Sequence, residues 1–169
     1  MFAAIKTANL ILRPFVQTDL PALYGFMSDA SAMQHTYVAP SLESCRDRLT
    51  AYEAMRPTLG FAPWTARVTE DADPVGWGGL SVDPEEPEWG LEVSYAFSPS
   101  VWGKGYATEL VKASLAYAFG PLMAREVHAF AKPTNTASVR VLAKSGFSYL
   151  RYEPRLQRSH YLLQVPGAA

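Results

Sequence analysis

The residues best placed for chemistry in this 169-residue chain form one short run, Trp102-Gly103-Lys104-Gly105-Tyr106-Ala107-Thr108. Two glycines separated by one residue let the backbone take unusual dihedrals and come close to a ligand. A helix that starts at such a loop aims unpaired N–H groups and the positive end of its dipole at one point. That arrangement holds an anion, and a pyrophosphate suits it. Lys104 adds a cation. The spacing excludes two better-known phosphate loops. A Walker loop continues Gly-Lys-Ser/Thr, whereas Gly103-Lys104 is followed here by Gly105. The dinucleotide fingerprint needs a third glycine where Thr108 stands. A nucleotide-binding role for the loop, with ATP as ligand, is correspondingly weak.

The loop needs a strand before it and a helix after it, and the sequence supplies both. Residues 91–97 are rich in aromatic and β-branched types and read as a strand. Ala107, Leu110, Val111, Ser114, Leu115 and Ala118 fall on one helical face, and Gly120-Pro121 ends that helix. Upstream, residues 9–15 alternate as a first strand. Thr18 is the expected cap of a helix carrying Leu20, Leu23, Tyr24 and Met27 on one face, with Asp19 and Pro21 in its first turn. Ser41 caps a second helix with the stripe Leu42, Cys45, Leu49, Tyr52 and Met55, which Pro57 and Gly60 are expected to stop. Residues 61–68 and 75–82 read as strands, and 83–88, with two prolines and three glutamates, as a loop. Residues 126–131 form another strand. Asn135 caps a short helix that runs to Lys144, with Gly146 in the left-handed closing position. Residues 147–152 and 160–165 are the last strands.

The resulting order, β-α-α-β-β-β-α-β-α-β-β, has three strands in succession without helices between them. The sheet is therefore mixed. The expected fold is α/β in the mixed α+β sense: a central, largely antiparallel twisted sheet of about six or seven strands flanked by about four helices. No repeat or linker divides the chain, so residues 1–169 read as a single domain.

Composition sets limits on partners. The net charge of -1 argues against broad nucleic-acid binding, which needs a basic stripe. The single cysteine, Cys45, sits on an apolar helix stripe and reads as core; one cysteine makes no internal disulfide, so a reducing cytoplasm is the simplest setting. Residues 1–6 lack the apolar run of a leader, and no stretch approaches the roughly 20 apolar residues of a membrane span. A chain of this length needs no metal to hold its core. Trp64, Trp77 and Trp89 read as sheet-packing aromatics.

With the loop, strand and helices placed, a resemblance emerges. The run Pro99-Ser100-Val101 followed by Trp102 to Glu109 resembles the cofactor loop of the GNAT acetyltransferases, and most of all the Rim-type branch of ribosomal-protein N-terminal acetyltransferases. The general pattern Gln/Arg-x-x-Gly-x-Gly/Ala becomes Trp102-x-x-Gly105-x-Ala107, and a tryptophan at that place is similar to the Rim-type branch. Asn135-x-x-Ser138, Val141-Leu142-x-Lys144-Ser145-Gly146-Phe147 and the opening Leu10-Ile11-Leu12-Arg13-Pro14 add to it. The resemblance covers nearly the whole chain. It implies a GNAT-like fold and direct transfer of acetyl from acetyl-coenzyme A to a primary amine, with coenzyme A as product. The acceptor would be a peptide or protein N-terminus or a small amine. The alternative is a non-catalytic acetyl-coenzyme A sensor or partner-binding module of the same fold. Monomer and homodimer are both open.

The resemblance also implies roles. The strand before the loop carries a bulge and splays from its neighbour, and backbone groups of Ala96, Phe97 and Ser98 pair with pantetheine and stabilise the oxyanion. The amides of Gly103, Lys104, Gly105, Tyr106, Ala107 and Thr108 take the pyrophosphate, beside Trp102. Asn135 reaches the thioester region. Ser138 is the candidate acid for the leaving thiolate; its hydroxyl can equally serve the helix N-terminus. The amine must lose a proton, since alkyl ammonium groups titrate near ~10 and N-terminal ones near ~8. Glu92 is the leading candidate base, with His128, Glu153 and His160 behind it; as a strand-end carboxylate Glu92 can also be simply solvated. Arg140 and Lys144 share a helical face and either meet the ribose phosphate or face solvent. Glu85, Glu86 and Glu88 either attract a cationic acceptor or are solvated.

Overall fold

The structure, a computed structural model, describes residues 3–165. Met1 and Phe2 of the segment read for a leader, and residues 166–169, lie outside the described residues. The strands are β1 (Ile5–Lys6), β2 (Ile11–Pro14), β3 (Trp64–Arg67), β4 (Gly76–Ser81), β5 (Glu92–Phe97), β6 (Glu126–Ala131), β7 (Ser148–Glu153) and β8 (Arg158–Gln164). They join in one sheet in the order β1-β2-β3-β4-β5-β6-β8-β7. The eighth strand, beyond the expected six or seven, is β1, whose two residues are too short to show an alternating pattern.

The helices are α1 (Leu20–Met27), α2 (Leu42–Ala54), the single turn α3 (Arg56–Leu59), α4 (Tyr106–Phe119) and α5 (Thr136–Lys144). Ser41 caps α2 as expected, its hydroxyl accepting from Ser44 N–H at 3.1 Å. Pro57 does not stop the chain's helical course. It stands in the first turn of α3, where its missing N–H costs nothing. Gly60, at φ 83°, is the true stop. Thr18 is not a cap either. It lies in a 3₁₀ turn, and Asp19 occupies the position before α1 with its carboxylate fully buried, salt-bridged to Arg13 at 2.6 Å and to Arg67. Among the described residues no helix is long and apolar enough to cross a membrane.

Side-chain alternation assigns the two faces. Val93, Val127, Ala129 and Ala131 pack under α4 and α5 against Val111, Leu115 and Leu142. Trp77 and Ala96 point the other way, against Leu23 and Phe26 of α1 and Leu49 and Tyr52 of α2. Cys45 belongs to that second core and is buried. A third cluster of Leu10, Leu12, Trp64, Phe97 and Leu110 seats the first half of α4 on the sheet. Full burial of a side chain such as Leu110 contributes about 1.5–3 kcal/mol. Glu109, in the first turn of α4, accepts hydrogen bonds from Asn9 N–H at 2.6 Å, from Asn9 Nδ2 at 2.9 Å and from the Thr7 hydroxyl. The turn between β1 and β2 thus fixes where α4 begins.

All strand pairs are antiparallel except β5 with β6. That parallel pair meets at one register point, Glu92 opposite His128, where His128 N–H donates to Leu91 C=O at 2.8 Å. Beyond it the two strands part, and the gap lies under the start of α4. The expected splay is there. The expected bulge is not: β5 pairs with β4 in unbroken register from Gly76 opposite Phe97 to Ser81 opposite Glu92.

Candidate active site

A cleft of about 510 Å3 opens where β5 leaves β6, within the roughly 300–1,000 Å3 of small-ligand sites. Its walls come from the open edge of β5, the loop into α4, the start of α5 and the connection between α1 and α2.

The glycine loop is shaped for an anion. Gly103 and Gly105 have φ of 78° and 82°, in the left-handed region that glycine enters without strain. No heavy atom lies within 4 Å of where a Cβ would stand on either residue, so open space faces the loop. The first helical hydrogen bond of α4 runs from Glu109 N–H to Gly105 C=O at 3.0 Å. The N–H groups of residues 103–108 therefore meet no acceptor among the described residues. Trp102 is half-exposed, and its indole N–H donates to Phe97 C=O at 2.8 Å, tying the loop to the end of β5. Trp102, Gly103, Gly105, Tyr106, Ala107 and Thr108 all line the cleft; Lys104 is exposed and does not.

The direction of the β5 backbone follows from register. Ser98 N–H donates to Val75 C=O at 2.8 Å. In an antiparallel ladder the bonding alternates, so Ala96 likewise faces β4, while Tyr95 and Phe97 turn their N–H groups to the open side. The backbone role expected of Ala96, Phe97 and Ser98 therefore narrows to Phe97, with Tyr95 as its partner. Ser98 is not among the residues lining the cleft.

Asn135 and Ser138 sit across the cleft at the start of α5. Asn135 Oδ1 accepts from Ser138 N–H at 3.1 Å and caps the helix. The Ser138 hydroxyl does not serve the helix end: its Oγ is 2.7 Å from the Tyr95 hydroxyl. Burial, against this hydrogen bond, pushes the Tyr95 phenol up to about 12, so it stays protonated, and either hydroxyl of the pair can donate to the other. Arg140 and Lys144 also line it.

Tyr95 was invisible as a site residue in the sequence, where it reads as one more strand aromatic. The segment that includes Met33, His35 and Thr36, which closes the cleft from the α1–α2 side, carries no local signal at all.

Glu92 stands apart. It does not line the cleft but opens β5 at the point where the strands part, half-buried and opposite His128. Burial first, then the Asp83 carboxylate, push its carboxyl up to about 7, against the Arg158 and Arg48 guanidinium groups. The native state thus binds this proton more tightly than the unfolded chain, whose carboxyl titrates near about 4.3. Stability falls as pH rises between those values and levels off above about 7. Glu92→Gln removes the ionisation. We expect it to be more stable than the parent at pH 8, by on the order of 1–3 kcal/mol given partial solvation, and equal to it near pH 4. Urea unfolding at the two pH values checks this; an equal difference at both contradicts it.

The fold and cleft define a class. A family model for the acetyltransferase (GNAT) domain matches residues 9–148, and the chain belongs to that family. It is an acetyltransferase of GNAT type. Among its relatives, the protein YkkB of Bacillus subtilis (strain 168) is 26% identical over 146 residues, covering 86% of this chain and 85% of that one. A crystal structure of an acetyltransferase from Agrobacterium tumefaciens superposes with a TM-score of 0.84 at 23% identity, over 98% of this chain and 96% of that one. RimL, a ribosomal L7/L12 alpha-N-protein acetyltransferase solved in complex with coenzyme A, shares the fold at TM-score 0.77 and 17% identity, over 96% and 98% of the two chains.

Proposed function

We propose that the protein transfers the acetyl group of acetyl-coenzyme A directly to a primary amine in a ternary complex. The acceptor is a peptide or protein N-terminus, as in the Rim-type branch, or a small amine. The observation that carries this reading is the convergence of three groups on one cleft: the unpartnered amides of residues 103–108, the open edge at Tyr95 and Phe97, and the Tyr95–Ser138 hydroxyl pair.

Acetyl-coenzyme A supplies an activated thioester and a diphosphate. The amides of Gly103, Gly105, Tyr106, Ala107 and Thr108 hold the diphosphate, with the α4 dipole behind them. Gly103 and Gly105 fit this part, since an added side chain would occupy the space the ligand needs. Tyr95 and Phe97 N–H groups stabilise the negative charge that builds on the acyl oxygen as the amine nitrogen bonds to carbon. As the carbon–sulfur bond breaks, the Ser138 hydroxyl gives its proton to sulfur, and Tyr95 holds Ser138 in place. Asn135 keeps its Nδ2 for the pantetheine arm, and Glu92, which stands outside the cleft lining, is the proposed base and acts through water.

A thiol-release assay with acetyl-coenzyme A over peptides, polyamines, amino acids and aminoglycosides tests the reading. Release that depends on an added amine is the expected result. Tight coenzyme A binding with silence across the whole panel overturns it in favour of the non-catalytic module.

A further inference from the structure

We propose that the acceptor carries a carboxylate near its amine, and that Arg48 of α2 and Arg158 of β8 hold that carboxylate while the amine meets the acyl carbon. The proposal deepens the acetyl-transfer reading and rests on it.

The place is the face of β5 and β6 turned toward α1 and α2. Ala96 lies on that face, so Ser94 and Glu92, two and four residues back along β5, lie on it too. On β6, Val127, Ala129 and Ala131 fill the core under α4 and α5, which leaves His128 and Phe130 on the same face as Glu92. Val93 and Phe97 are buried, whereas Glu92, Ser94, Ala96, His128 and Phe130 are all half-exposed. The helices α1 and α2 thus pack over Trp77 of β4 but leave the two central strands as a trough open to solvent. Ala96 and Thr36 also line the cofactor cleft, so the trough runs into it.

Two cations border this trough. The Arg48 guanidinium lies 4.7 Å from the centre of the Tyr37 ring and 5.3 Å from that of Tyr52. Both rings tie it to the cleft. Tyr37 follows Thr36 in the chain, and Tyr52 packs edge-on at 5.4 Å against Trp77, which is in register with Ala96. Arg158 opens β8. Its neighbour Ser159 is in register with Ala131 of the α4–α5 core, so Arg158 belongs to the opposite face, that of the trough. Both guanidinium groups act on the Glu92 carboxyl, yet neither is at salt-bridge distance from it.

These two arginines differ from the others that leave the surface. Arg13 and Arg67 pair with Asp19, and Arg56 pairs with Glu53 at 2.6 Å. Arg48 and Arg158 are half-buried as well, and neither has a carboxylate partner among the described residues. An aromatic face attracts a guanidinium but accepts none of its in-plane N–H bonds. A cation drawn from water without a partner is costly, and burial holds the Arg158 guanidinium below its ordinary value even with Glu92 opposing. An anion from the acceptor supplies what the protein does not. A carboxylate fits a guanidinium fork through two hydrogen bonds. It carries one charge, whereas a phosphate dianion would be repelled more strongly by Asp83 and Glu92, the acids that favour the ammonium end of the same molecule. The α-carboxylate of a free amino acid and the acidic side chain of a peptide's first residue both offer this group.

The test compares acceptors that differ in the carboxylate alone: free amino acids against their amides, and peptides beginning with Asp or Glu against those beginning with Asn or Gln. We expect the carboxylate form to be preferred by about 10- to 100-fold in kcat/KM in one of the two sets, and that set identifies where the carboxylate comes from. Arg48→Gln and Arg158→Gln should each shrink the preference through the acceptor's KM, and the double variant should bring it close to unity, with KM for acetyl-coenzyme A unchanged. Arg48→Lys and Arg158→Lys keep the charge and should retain part of the preference, which an arginine that merely packs would not show. A parent that acetylates the amides and neutral peptides as well as their acidic counterparts overturns the proposal, and so does a folded double variant that keeps the preference. Either result leaves the acetyl-transfer reading intact. A parent that binds coenzyme A and is silent with every amine overturns both.

Discussion

Gly105→Glu abolishes coenzyme A binding while the protein stays folded. Gly105 sits at φ 82° immediately before α4, where any side chain is strained by about 1–2 kcal/mol. That strain falls on an exposed loop and leaves the core untouched. No atom lies within 4 Å of the added Cβ, so there is no clash with the protein. The carboxylate instead enters the space that the unpartnered amides face. At ~5 Å and an effective dielectric of ~20, each charge on a diphosphate is repelled by about 3 kcal/mol. Two such charges remove on the order of 10³-fold or more in affinity. Gly105→Ala is the control: it carries the same backbone strain without the charge and should retain most of the affinity. Calorimetry with coenzyme A, alongside thermal unfolding, separates the two effects. A folded Gly105→Glu protein that binds normally would place the cofactor elsewhere.

Ser138→Ala lowers kcat by on the order of 10²-fold and leaves the affinity for acetyl-coenzyme A unchanged, because the loop amides, and not Ser138, hold the cofactor. The thiolate must then leave without a positioned proton donor. Tyr95→Phe keeps the serine but removes the 2.7 Å bond that orients it. Its kcat loss should be smaller, roughly 10-fold, because the serine can still donate from a wrong rotamer part of the time. Stability changes by no more than about 1 kcal/mol in either variant, the net worth of one hydrogen bond. Initial rates at saturating cofactor, read with the unfolding midpoint, check both. Full kcat in Ser138→Ala would reduce the serine to a packing residue.

Much of this arrangement was legible in the residues themselves, and the parts that were not share a cause. The strand–loop–helix unit around Gly103 and Gly105 is local, and its left-handed glycines are written directly into the sequence. The α5 cap is local too: Asn135 bonds to an amide three residues away. What escaped depends on register or on distant chain segments. Which way Tyr95 and Ala96 turn their amides is set by one hydrogen bond between Ser98 and Val75, and no pattern within β5 reveals it. The seat of α4 depends on Glu109 meeting Asn9 across 100 residues. His128 and His160 are 32 residues apart, and each alone is an ordinary strand histidine; pairing β6 with β8 makes them neighbours. Glu92 was read correctly as the opening residue of β5, yet register sets it beside His128 and away from the cleft that Ser138 lines.

The most direct measurement is a crystal structure with coenzyme A bound. The account predicts diphosphate oxygens within hydrogen-bonding distance of the amides of residues 103–108, and the pantetheine arm running along Tyr95 and Phe97 toward the Ser138 hydroxyl. Coenzyme A lodged away from the α4 start, or no binding by well-folded protein, would contradict it.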